Sequence, residues 1–125
     1  MRVAALFTLT LAAITACSES IPSEEKLFEY ARNYEAAQDF NNAVATYDII
    51  INKYPESPNR YKAIFMKGYI YTDILKDRNR AVETMDTLLA EYPDCDLADD
   101  AKILRDIAVK GVDLMSVFKD STLIK

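Results

Sequence analysis

The chain has 125 residues, with 20 Asp and Glu against 15 Lys and Arg, and a formal charge of -5. That balance argues against nucleic acid, whose phosphates need a basic face, and gives no electrostatic pull toward anionic lipid. With no histidine or tryptophan, a histidine-based catalytic triad is impossible and a zinc site would lack its commonest ligand.

The first predicted element is a leader. Met1-Arg2 gives a positive start, Val3 to Ala13 is apolar except at Thr8 and Thr10, and Thr15-Ala16 places small residues before Cys17. This predicts a secretory signal over residues 1–16; the run is too short for a membrane span, which needs about 20 apolar residues. Ile14-Thr15-Ala16-Cys17 resembles the bacterial lipobox, whose cysteine takes a diacylglycerol thioether and becomes the first mature residue. The resemblance implies a covalent lipid on Cys17 and no other cofactor. The alternative is an ordinary leader followed by a chance cysteine. Ser18 is not the aspartate associated with inner-membrane retention, so outer-membrane anchoring is implied. Residues 17–22 then form a tether and residues 23–125 the folded domain.

Ser23 can cap a first helix, and Glu24-Glu25 suit the positive end of its dipole. Leu27, Tyr30, Ala31 and Tyr34 follow at helical spacing, to about Ala37. Gln38-Asp39 turns the chain. Ala43, Val44, Tyr47, Ile50 and Ile51 mark a second helix that stops before Tyr54-Pro55, because proline disfavours helical geometry in the residue before it. Ser57-Pro58 reads as an N-cap followed by proline at the first helical position. The third helix carries Ala63, Met66, Gly68, Ile70 and Tyr71 to about Leu75, and Lys76 to Asn79 make a polar turn. Ala81, Val82, Met85, Leu88 and Leu89 form a fourth, stopped by Tyr92-Pro93. A fifth begins near Asp96 with Leu97, Ala101, Leu104, Ile107 and Ala108. Its period runs on through Gly111, Leu114, Met115 and Phe118, which predicts one long terminal helix. No strand or hairpin pattern occurs, so the fold class is all-α.

Residues 43–55 recur as residues 81–93, an offset of 38 with identities at Ala, Val, Thr, Asp, Tyr and Pro. A repeat of this length cannot bury its own apolar face and must stack on its neighbour, leaving a long surface for other molecules. Ala31, Tyr34, Ala43 and Pro55 in the first unit answer to Gly68, Tyr71, Ala81 and Pro93 in the second. This pattern resembles the tetratricopeptide repeat, where small residues let two helices approach and proline closes the unit. Tyr47 matches the late aromatic and Met85 departs from it; Gly68 to Ala81 is one residue longer than Ala31 to Ala43.

The resemblance covers Glu24 to about Lys110. It implies antiparallel hairpins stacked as a short solenoid of about 2.5 repeats with a C-terminal capping helix. It also implies a concave, partner-binding face, formed by Phe28, Arg32 and Glu35 of the first helix with Phe65, Tyr69, Thr72 and Asp73 of the third. Tyr54-Pro55-Glu56-Ser57 and the helix after it resemble the periplasmic tetratricopeptide lipoproteins of the BamD type, which assist outer-membrane protein assembly. The repeats of Tol-Pal coordinator proteins are similar. Both imply a protein partner, in an envelope complex, and a role at the outer membrane.

Some repeats of this kind clamp a partner's C-terminal carboxylate with basic groove residues. The corresponding places here are Phe28, Arg32, Met66, Asp100 and Leu104, and Arg32 alone is basic, which argues against a clamp. Glu24-Glu25 and Asp99-Asp100 could hold a cation or act in acid–base chemistry, but neighbours on a helix diverge by about 100° and such pairs suit solvated first turns. No catalytic or metal site is expected, and the protein reads as a non-enzymatic scaffold. The alternatives are a module binding a small molecule or cell-wall fragment, or an enzymatic accessory role for Cys95. Cys95 aligns with Ser57 at a helix N-cap position, where a thiol's pKa can fall, but Asp94 and Asp96 oppose thiolate formation.

Overall fold

The computed structural model describes residues 20–119, so the leader, Cys17 and the last six residues lie outside it. Five helices form two hairpins and a cap, followed by a short sixth: α1 Glu24–Ala36, α2 Phe40–Lys53, α3 Arg60–Tyr69, α4 Arg78–Glu91, α5 Ala98–Lys110 and α6 Leu114–Lys119. There is no strand among the described residues, and none of their helices is long and apolar enough to cross a membrane.

Helix starts follow local chemistry. The Ser23 hydroxyl accepts from the Lys26 N–H at 3.4 Å, Asp39 from Asn42 at 3.3 Å and Asp77 from Arg80 at 3.1 Å. Each aspartate follows a left-handed residue, Gln38 (φ 59°) and Lys76 (φ 53°), so the two hairpin turns are one turn repeated. The Tyr34 carbonyl accepts from Asp39 N–H at 2.8 Å; its repeat equivalent Tyr71 accepts from Asp77 at 2.9 Å across one more residue. The extra residue is absorbed in a π-helical turn, Ile70–Ile74, that ends α3, where Leu75 N–H reaches the Ile70 carbonyl at 2.9 Å. This accounts for the longer spacing between Gly68 and Ala81, and it returns α4 to register.

Two starts and one end differ from the sequence expectation. Ser57 is not the N-cap of α3. Residues Ser57 to Arg60 close a turn, with Arg60 N–H on the Ser57 carbonyl at 3.1 Å, and the helix begins at Arg60. Pro58 suits the second position of that turn. The Ser57 hydroxyl accepts from Asn59 N–H at 3.0 Å and donates to the Glu24 carboxylate. Cys95 is likewise not an N-cap: Ala98 N–H meets the Cys95 carbonyl at 3.0 Å, one repeat further on, and α5 begins at Ala98.

The single long terminal helix is also corrected. It breaks at Gly111, whose φ of 66° is left-handed, with its N–H on the Ile107 carbonyl at 2.8 Å. Apolar spacing continued past this point, but a glycine able to end the helix at no steric cost decided the local structure. Any side chain at 111 would also meet the Arg78 guanidinium, which lies against it.

Two clusters make one continuous core. Leu27, Ala31, Ala43, Tyr47, Ile50, Ala63 and Ile70 join the first hairpin to α3; Ile64, Met85, Leu88, Ala101 and Leu104 join α3 to α4 and α5. Ile51 packs against both. Ala31, Ala43 and Ala81 are wholly buried, as close helix approach requires. The junctions between units repeat as well. Lys67 pairs with Asp48 at 2.6 Å, and Arg105 pairs with Asp86 the same 38 residues further along. At the start of the solenoid the Tyr54 hydroxyl donates to the Pro22 carbonyl at 2.7 Å, so the chain enters beside the α2–α3 corner.

Candidate partner-binding groove

The start of α1 and α3, with the turn before α5, encloses an open cavity of about 410 Å³. Phe28, Phe65, Met66 and Leu97 supply its apolar lining, and Arg32, Lys62 and Asp96 its charged groups; Tyr47 of α2 closes the floor. Phe28 and Phe65 hold equivalent places in their units, and both are only half-buried because no helix among the described residues covers this face. Phe28 meets Tyr47 edge-on, with ring centroids 6.2 Å apart.

The floor is fixed by a part-buried hydrogen bond. The Tyr47 hydroxyl donates to the Glu35 carboxylate at 2.5 Å. Burial, and then the hydrogen bond to Glu35, push the Tyr47 phenol well above its ordinary value near 10. Because the folded state holds this proton more tightly than the unfolded one, the contribution is complete below about pH 10 and declines above it. Tyr47→Phe should therefore lower stability by about 0.5–1.5 kcal/mol at neutral pH. It should also flatten the alkaline fall in melting temperature relative to the native chain, as thermal melts from pH 8 to 11 would read. Parallel alkaline curves would rule out this role for the phenol.

Of the seven residues expected on the face, Phe28, Arg32 and Phe65 come together in this cavity. Glu35 lies behind it, engaged by Tyr47. Tyr69 packs beside the second core cluster and donates to Asp73 at 3.3 Å; Asp73 also receives Lys76 at 3.3 Å. Burial and the Asp73 charge raise the Tyr69 phenol. Thr72 does not face the groove. It is buried, with its hydroxyl on the Gly68 carbonyl at 2.8 Å, and it borders a separate cavity of about 390 Å³ near Lys76 and Gly111. Thr72 stands four residues after buried Gly68 and shares its inward face, beside Tyr71, which was expected there.

Sequence reasoning missed Lys62, Asp96 and Leu97. Lys62 stands one turn before Phe65 and Met66, so counting back along α3 would have found it. Asp96 and Leu97 come from an irregular turn, where helical counting has no purchase. Of the places considered for a carboxylate clamp, Leu104 is buried and Asp100 exposed. The acid pairs are partly engaged, Glu24 by Ser57 and Asp99 by Lys102 at 2.8 Å, which holds the Asp99 carboxyl below its ordinary value. Cys95 is half-buried against the second cluster.

In comparison with known proteins, a family model described as tetratricopeptide repeat matches residues 27–57 and 62–94, together just over half of the chain. The two matched segments coincide with the two helical hairpins and their closing prolines. Neither a curated protein nor a solved structure matches.

Proposed function

We propose, from the premise that this chain belongs to the tetratricopeptide-repeat family, that it is a non-enzymatic scaffold whose concave groove holds a protein partner. On this reading a lipid on Cys17 anchors it to the outer membrane, facing the periplasm, in an envelope complex that assembles or secretes outer-membrane proteins. Repeats of this family are scaffolds for protein–protein interaction, and the half-buried aromatic pair Phe28 and Phe65 in an open groove is the observation that carries the reading. The leader and the lipobox-like Ile14 to Cys17 support the anchor. The likeness of the Tyr54 to Ser57 segment to BamD-type lipoproteins and Tol-Pal coordinators supports the place of work. A small-molecule site is usually a concave pocket that encloses most of its ligand, whereas exposed Arg32 and Lys62 stand at the open mouth of this one.

The test is affinity purification of the intact chain from detergent-solubilised membranes. A co-purifying protein should be lost with Arg32→Glu combined with Tyr69→Ala. Arg32 is exposed and Tyr69 half-buried, so the double variant should stay folded, with a melting temperature lower by about 5–10 °C. A partner retained by the folded double variant would place the binding surface elsewhere; Arg32→Glu alone gives the same reading should Tyr69→Ala unfold the chain.

A further inference from the structure

The helix junctions and the groove treat positive charge differently. Where helices pack, cations are matched: Arg60 with Glu91, Lys67 with Asp48, Arg105 with Asp86. Arg32 and Lys62 come from different helices onto the same apolar surface, and neither makes an ion pair among the described residues. Lys62 reaches only the Asn59 side-chain oxygen at 3.1 Å and the face of Tyr61 at 5.7 Å. In a chain with five more acidic than basic residues, carboxylates were available to match them. Glu24 is engaged by the Ser57 hydroxyl; Asp96 lines the same cavity and Glu25 is exposed at the edge of a neighbouring one that Arg32 and Lys62 also border, yet neither carboxylate forms an ion pair with them.

We infer that the groove takes a segment of a partner protein in which Asp or Glu stands next to a bulky apolar residue. The apolar side chain fills the cavity over Phe28, Phe65 and Met66, and the adjacent carboxylate lies between Arg32 and Lys62. This rests on the groove being the partner site. Charge complementarity selects the occupant: a basic segment meets two like charges, while an apolar segment without an acid leaves both cations unanswered as the groove loses water. An interface that drew on the apolar lining alone would have no use for two cations from separate helices at its mouth.

The probe is a phage-displayed library of random dodecapeptides, selected on the intact chain in detergent micelles. Enriched peptides should carry Asp or Glu beside Leu, Ile, Met or Phe, and should weaken as salt rises. Affinity of a selected peptide should fall about tenfold with Arg32→Glu and again with Lys62→Glu, since each reversal removes an attraction and adds a repulsion. Both side chains are exposed, so the variants should fold, as melting curves will report. Peptides without acidic enrichment, or indifferent to both reversals yet lost with Phe65→Ala, overturn this inference and leave the groove standing. Peptides indifferent to Phe65→Ala as well, or no enrichment at all, overturn both.

Discussion

Cys17→Ala should move nearly all of the protein from the membrane fraction into solution, or leave it as an uncleaved precursor. A diacylglycerol on Cys17 supplies two acyl chains, and each buried CH₂ contributes about 0.8 kcal/mol, so two chains anchor stably where one binds only marginally. Among the described residues nothing compensates. The described residues contain no membrane-crossing helix, and the -5 charge gives no attraction to anionic lipid. Fractionation of native and Cys17→Ala cells gives the distribution, and mass spectrometry of the membrane-bound form gives the mass on Cys17. An unmodified Cys17 in membrane-bound protein would remove the anchor from the proposed function and leave the groove untouched.

Gly68→Leu should destabilise the fold strongly while Gly68→Ala does little. A Cβ at Gly68 would stand 2.5 Å from Met85 Cε and 3.3 Å from Thr84 Cγ2. The Met85 terminus can rotate away from a single carbon, and alanine recovers about 1 kcal/mol of helix propensity over glycine. A leucine has no such room, because Met85 is wholly buried and cannot swing into solvent. Overpacking of this kind costs about 1–3 kcal/mol, or roughly 5–20 °C in melting temperature for a domain of this size. Ala81→Phe, at the facing small position, should act in the same direction. Equal melting temperatures for native, Gly68→Leu and Ala81→Phe chains would mean that the two helices do not meet there.

Gly68 also shows how far the sequence could be read. Its spacing to Tyr71, Ala81 and Pro93 was enough to pair it with Ala31 and so to give the hairpins, the stacking and the order of α1 to α5, since each depends on side-chain size at fixed intervals. The one-residue surplus before Ala81 was equally visible, but not its fate. A residue can be accommodated in a loop or in a widened helical turn, and only the backbone hydrogen bonds of Ile70 and Tyr71 decide between them. Thr72 is buried because it stands one turn after Gly68, a spacing that competes with its seven-residue spacing from Phe65. Ser57 and Cys95 were read by residue type and Gly111 by the apolar period around it, and in each case a competing local bond won: a closed turn at the first two, a left-handed stop at the third. For the groove, regular positions such as Phe28, Arg32 and Phe65 were legible, whereas Asp96 and Leu97 depend on how a turn folds back toward α3.

The hydrogen bond from Tyr54 to the Pro22 carbonyl, with Ser57 on Glu24, ties down the point where the chain enters the solenoid. With Cys17 as anchor, the six residues Cys17 to Pro22 make a leash of at most about 20 Å. Its fixed end lies on the rim where α1 and α3 begin and α2 ends. That rim, which also carries the mouth of the groove, would then be held within about 20 Å of the bilayer, so a partner tethered to the same membrane would be met within that height.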